Sequence, residues 1–160
     1  MFTGSEIVAT FEQLGVTHVV WVPDSTFGMW EAALEEASSL RLIRVCREGE
    51  AWPLAAGLHV GGQCPVIVMQ TTGLFESGDA LRNVLFDLQL PLFAVIGARN
   101  WLIPDSRDSA KRFAAGIIEA WGLDHVLIRE EAEKPRLAQH YRDCLERQRA
   151  GAVLMAEGSG

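Results

Sequence analysis

Short apolar runs recur along the chain, each followed by a stretch in which apolar residues return every three or four positions. The runs are THVVWVP (17–23), LRLIRVC (40–46), PVIVMQ (65–70), PLFAVIG (91–97), DHVLI (124–128) and GAVLMAE (151–157). They are rich in Val, Ile and Leu and barely alternate, as strands covered on both faces do. Helices are expected near 4–15, 26–38, 49–61, 75–88, 107–121 and 130–149. The last of these, EEAEKPRLAQHYRDCLERQR, is heavily charged and belongs at the surface.

Alternating strands and helices with short connections predict an α/β fold: three α/β/α layers around a mostly parallel six-stranded sheet. Gly15, Gly122 and Gly151 fall where helices should end, the usual place for a left-handed residue. Asp105 or Ser106 is the expected cap of the helix after WLIPDSRD. Ligands of such sheets sit beyond the carboxyl ends of the strands. The loops to inspect are therefore VPDST (22–26), REGE (47–50), QTTGLFESGD (70–79) and GARNW (97–101).

The 160 residues are 49% hydrophobic, enough for a real core and too apolar for a disordered chain. With no repeat, linker or low-complexity segment, residues 1–160 read as one domain. No apolar run reaches the length of a membrane span, and the start, MFTGSEIVATFEQ, lacks a signal-peptide pattern, so a cytoplasmic protein is expected. The net charge of −7, without a basic block, argues against a nucleic-acid partner. It leaves room for a small anionic substrate met by one or two arginines. Cys46, Cys64 and Cys144 are scattered, with neither CxxC pairs nor zinc-ligand spacing, and buried inert thiols are expected.

GxGxxG, GxxxxGK[ST] and G-x-S-x-G signatures are absent. His18, His59, His125 and His140 fall mostly inside strands or helices, where a structural or solvated role is expected. Trp52 and Trp101 sit at strand-end loops, where an aromatic side chain can line a pocket. Asp24, Ser25, Gln70, Thr71 and Thr72 follow buried strands, and each taken singly also suits a helix cap.

Taken together, these loops resemble the pyrimidine-binding domain of thiamine diphosphate-dependent decarboxylases, especially the sulfopyruvate and phosphonopyruvate branch. WVPDST (21–26) matches a GVPDS-like loop, REGEAWPLAAG (47–57) a REE or NEG segment leading into AAG, and QTTGLFESGDAL (70–81) a QNSGLGN-like loop. LPLFAVIG (90–97) matches the strand that follows, and order and spacing agree over about the first 100 residues. Phe75 and Glu76 depart from the pattern, standing where the family has glycine and asparagine, and Trp52 is unusually bulky beside the cofactor.

The resemblance implies roles. Glu48, nine residues before Gly57, takes the place of the glutamate that shares a proton with the far ring nitrogen of the cofactor's aminopyrimidine. Glu50 is left as a first-turn helix residue beside the helix dipole, and Pro53 as a first-turn proline. Pro23, Thr72 and Gly73 would pack against the cofactor, while Asp24, Ser25, Arg47, Gln70 and Arg99 would line the substrate pocket. Arg47 and Arg99 are the cations expected to meet a sulfonate or phosphonate.

The family holds the diphosphate through Mg2+ on a second domain bearing GDG and, further on, Asn. Here the lone Gly78-Asp79 lies in the wrong loop, and no metal ligand is expected in this chain. The resemblance thus implies a self-associating α subunit with a separate diphosphate-binding β subunit, acting on a small 2-oxo acid. The alternatives are phosphonopyruvate as substrate, carboligation on the same carbanion, or a non-catalytic assembly module.

Overall fold

The computed structural model describes residues 1–158. Six strands form one sheet: β1 (His18–Trp21), β2 (Arg41–Arg44), β3 (Pro65–Gln70), β4 (Phe93–Ala98), β5 (Asp124–Ile128) and β6 (Gly151–Ala156). Their order is β2-β1-β3-β4-β6-β5, and every neighbouring pair is parallel. The helices are α1 (Gly4–Gln13), α2 (Glu31–Glu36, entered by a 3-10 turn), α3 (Glu48–Val60), α4 (Thr71–Arg82), α5 (Ser109–Ala120) and α6 (Pro135–Glu146).

Strand periodicity sorts the core into two layers. Val19, Trp21, Val66, Val68, Phe93, Val95, Val153 and Met155 face one side, where Phe11 of α1, Leu34 of α2 and Leu137 of α6 cover them. Val20, Ile67, Met69, Ala94, Ile96, Ala152 and Leu154 face the other, under Ala55 of α3, Leu74 and Leu81 of α4 and Ile118 of α5. This is the three-layer α/β/α arrangement expected from the sequence. Full cover on both faces holds for the inner strands; β2 and β5, at the edges, are only partly buried. No helix among the described residues is long and apolar enough to cross a membrane.

Several local expectations change. Gly15 and Gly122 are left-handed at the ends of α1 and α5 (φ +72° and +59°), but Gly151 opens β6. There a Cβ would stand 2.2 Å from Cys144 Sγ, so glycine is needed for close approach, and Gln148 takes the left-handed position after α6. The cap of α5 is Asp108, which accepts the Ala110 N–H at 2.9 Å, rather than Asp105 or Ser106. Cys46 and Cys64 are exposed, because β2 ends at Arg44 and Cys64 precedes β3; only Cys144 is buried.

The largest change is in residues 70–79. No loop separates β3 from α4: the helix begins at Thr71, runs through the predicted loop, and is interrupted only at Gly78 (φ 29°, ψ −111°). A π-helical turn, Asn83–Leu88, follows. Pro53 lies in the second turn of α3 rather than the first, because α3 already begins at Glu48. The proline withholds the hydrogen bond that Gly49 C=O would otherwise accept.

Candidate active site

All six strands run the same way, so their carboxyl ends open on one side of the sheet. From β1 the chain crosses to β2 on one flank, and from β3 to β4 on the other. That reversal places a crevice at the carboxyl ends of β1 and β3. The amino ends of α3 and α4 meet beside it, both on the same face of the sheet.

Arg47 is the N-cap of α3 but gives no side-chain cap, so the N–H groups of the first turn need other acceptors. Glu50 reaches back to accept the Cys46 N–H at 3.2 Å, the helix-start role expected of it. The Gly49 N–H donates to Glu76 Oε2, a carboxylate brought from α4. Glu76 Oε1 also accepts from Arg47 Nε, at 2.8 Å, and from Arg47 Nη2. The Gly49 N–H and then Arg47 hold the Glu76 carboxyl below the usual range.

Glu48, the first residue of α3, is half-buried and takes none of these bonds. Its side chain lies flat on Gly73 in the first turn of α4: a Cβ there would stand 2.5 Å from both Glu48 Cγ and Oε1. Gly73 and Glu76 are three residues apart on α4 and so share a face. Each helix thereby sends a carboxylate to the other's amino end: Glu48 to α4, and Glu76 to α3. One turn on, Trp52 Nε1 donates to Ser77 Oγ at 2.8 Å, and Ser77 donates to Gly73 O at 2.7 Å. Trp52 is completely buried in that contact, so it is core and not pocket wall, despite its place beside the site in sequence.

At the head of α4, Gln70 Oε1 is buried without a hydrogen-bond partner among the described residues, while Thr72 is exposed. Thr71 does not face a ligand: its hydroxyl donates to Gly97 O at 2.8 Å across to β4. Arg99 is half exposed, with Nε 3.4 Å from Asp108 Oδ2.

After β1, Pro23 and Ser25 are exposed, and both oxygens of Asp24 are engaged by its own chain segment. Its Oδ1 accepts the Thr26 and Phe27 N–H groups at 2.8 and 2.9 Å, and its Oδ2 accepts Trp21 Nε1 at 3.1 Å. Asp24 is thus a turn cap, the simpler of the two readings open to it. Thr26 then packs over Gly97, where a Cβ would come 2.5 Å from Thr26 Cγ2, and donates to Glu157 Oε2 at 3.0 Å. The histidines stay outside the site: His18 bonds Thr17 Oγ1, and His140 lies against Cys144 and the Asp124 carbonyl.

The structure therefore joins Glu48 to Gly73 directly, ties Arg47 to that corner through Glu76, and gives Asp24 a backbone task. Glu76 stands out in sequence only as a departure from the family pattern, and Ser77 not at all, because the segment reads as a loop. Read as a helix, the Gly73–Glu76 spacing would have put Glu76 on Glu48's side of α4.

No protein-family model matches the chain. It is 28% identical over 124 residues to a phosphonopyruvate decarboxylase of Streptomyces viridochromogenes, covering 78% of this chain and 31% of that protein. A phosphonopyruvate decarboxylase of Streptomyces hygroscopicus is 30% identical over 95 residues, 59% of this chain and 24% of that protein. The chain thus spans a third or less of the curated relatives it matches. In structure it is similar to benzoylformate decarboxylase from Polynucleobacter necessarius, with TM-score 0.73 and 18% identity, over 98% of this chain and 30% of that one. The sequence likeness is thus to two phosphonopyruvate decarboxylases, and the fold is one shared with benzoylformate decarboxylase.

Proposed function

We propose that this chain, a relative of phosphonopyruvate decarboxylases, is the pyrimidine-binding α subunit of a thiamine diphosphate-dependent 2-oxo acid decarboxylase. A separate β subunit would hold the diphosphate and Mg2+, and the active site would lie between them in an α2β2-like assembly. The observation that carries this reading is the Glu48 carboxylate, laid on the bare backbone of Gly73 and free of partners among the described residues.

The residues present fit the aminopyrimidine of the cofactor. Glu48 offers an acceptor that can share a proton with a ring nitrogen, and Gln70 Oε1 is a buried acceptor still without its donor. Thr72 and Gly73 would pack against the ring, with Pro23 and Ser25 across the crevice. When bound, the cofactor supplies the electron sink for loss of CO2 from a 2-oxo acid. Asp24 is left out of the binding set, since both its oxygens are already used.

The relatives favour a substrate with a phosphonate, or the similar sulfonate of sulfopyruvate. Arg47 and Arg99 are each paired, with Glu76 and Asp108, so such a group would exchange with a carboxylate or meet a cation from the β subunit. The test mixes this chain with a candidate partner bearing GDG and Asn, thiamine diphosphate and Mg2+. Release of CO2 is then followed from pyruvate, sulfopyruvate and phosphonopyruvate, for wild type and Glu48→Gln. Turnover that the variant loses by about 100-fold or more supports the reading. A fully active variant overturns it, and folded proteins with no turnover on any acid favour a non-catalytic assembly module.

A further inference from the structure

We infer that Glu76 is the positioning residue for Glu48: from α4 it caps the amino end of α3 and holds the neighbours on both sides of Glu48, Gly49 by its N–H and Arg47 by its guanidinium. The inference rests on the proposed role of Glu48, and it concerns a residue at which this chain departs from the motif it otherwise resembles.

The geometry is a two-point clamp. One carboxylate oxygen of Glu76 takes the N–H of residue 49, and the other takes the guanidinium of residue 47, so residue 48 is bracketed. Glu76 does this from the face of α4 that presents Gly73, the surface on which Glu48 rests. Any movement of α3 relative to α4 would therefore move the Glu48 carboxylate off its seat. The fit at Gly49 is close: a Cβ there would stand 3.2 Å from Glu76 Oε2, and the carboxylate would have to yield by a few tenths of an ångström. No side chain of α3 replaces the clamp: Arg47 offers no acceptor, and Glu50 is turned outward to the Cys46 N–H. Glutamine in place of Glu76 keeps one acceptor oxygen for Gly49 but loses the charge that holds Arg47.

Two measurements test this, on Glu76→Ala and Glu76→Gln. In the chain alone, amide exchange at Gly49 should speed up by about 10-fold or more in Glu76→Ala, with part of the protection restored in Glu76→Gln. In the assembly with the β subunit, Glu76→Ala should lower kcat by about 10- to 100-fold with KM for the 2-oxo acid little changed, since a misplaced group costs turnover. Glu76→Gln should recover part of that loss. Unchanged Gly49 exchange in Glu76→Ala overturns the clamp. Wild-type kcat in Glu76→Ala, with Glu48→Gln inactive, overturns the positioning role. An active Glu48→Gln enzyme instead overturns the functional reading beneath it, so the two failures are told apart by different variants.

Discussion

The Glu48 side chain occupies the space that a Cβ on residue 73 would need, with Cγ and Oε1 each 2.5 Å from it. Gly73→Ala therefore separates stability from chemistry. Residue 73 lies in the first turn of α4, where alanine is favoured over glycine by at most roughly 1 kcal/mol. The added methyl must nevertheless push Glu48 off its seat. The expected result is a urea midpoint close to wild type together with a turnover loss approaching that of Glu48→Gln. A fully active Gly73→Ala enzyme would show that the contact has no part in the chemistry.

Ser77 links the two site helices through the core. It accepts from Trp52 Nε1, is itself buried, and donates to Gly73 O. Ser77→Ala leaves the indole N–H of a completely buried tryptophan unpaired, a loss of about 1–3 kcal/mol by urea denaturation. Trp52→Phe removes the donor along with the need for it, so adding it to Ser77→Ala should cost less than the sum of the two single changes. Strict additivity would mean that the Trp52–Ser77 bond contributes nothing.

Much of the fold was legible because each strand run and each helical stripe carries its own period, and all six strands and the main helices follow it. What escaped depends on residues distant in sequence. QTTGLFESGD holds two glycines and three hydroxyl residues and reads locally as a loop. It becomes a helix because Gly73 fits beneath Glu48, Ser77 meets Trp52 and Glu76 reaches Arg47, contacts spanning 25 to 29 residues where they are hydrogen bonds. Asp24 was placed correctly at the end of β1. Capping and pocket lining were both open to it, and the Thr26, Phe27 and Trp21 donors decide for the cap. The two carboxylates of REGE divide: Glu50 accepts the Cys46 N–H at the start of α3, and the Glu48 carboxylate makes no hydrogen bond or ion pair among the described residues.

The three thiols should differ sharply in reactivity. Cys46 and Cys64 are exposed, whereas Cys144 is buried and its thiol is pushed up to about 11, chiefly by burial. The thiolate is the reactive form, so alkylation near neutral pH should label Cys46 and Cys64 quickly and Cys144 only after unfolding. Intact-mass spectrometry counts the adducts. Rapid addition of a third in the native protein would contradict the packing of Cys144 against Gly151.

Acid should weaken the protein through carboxylates whose protons bind less readily in the folded chain. Glu6 is the strongest case, lowered to about 2 by the Thr3 N–H first and then by Lys134. It closes a capping box with Thr3 at the start of α1 and pairs with Lys134 at 2.9 Å. An unfolded glutamate titrates near 4.3, so the unfolded chain takes up this proton first as pH falls. The stabilising contribution is therefore complete above about pH 4.3 and is lost as pH drops through about 2. Glutamine at this position can still complete a capping box, so Glu6→Gln removes the charge and leaves the cap. Urea midpoints of wild type and Glu6→Gln should differ in favour of wild type near neutral pH and converge below about pH 2. Because the Glu6 carboxylate is exposed, added salt should shrink the difference, and a gap that persists unchanged in strong acid would mean the carboxylate charge is not its source.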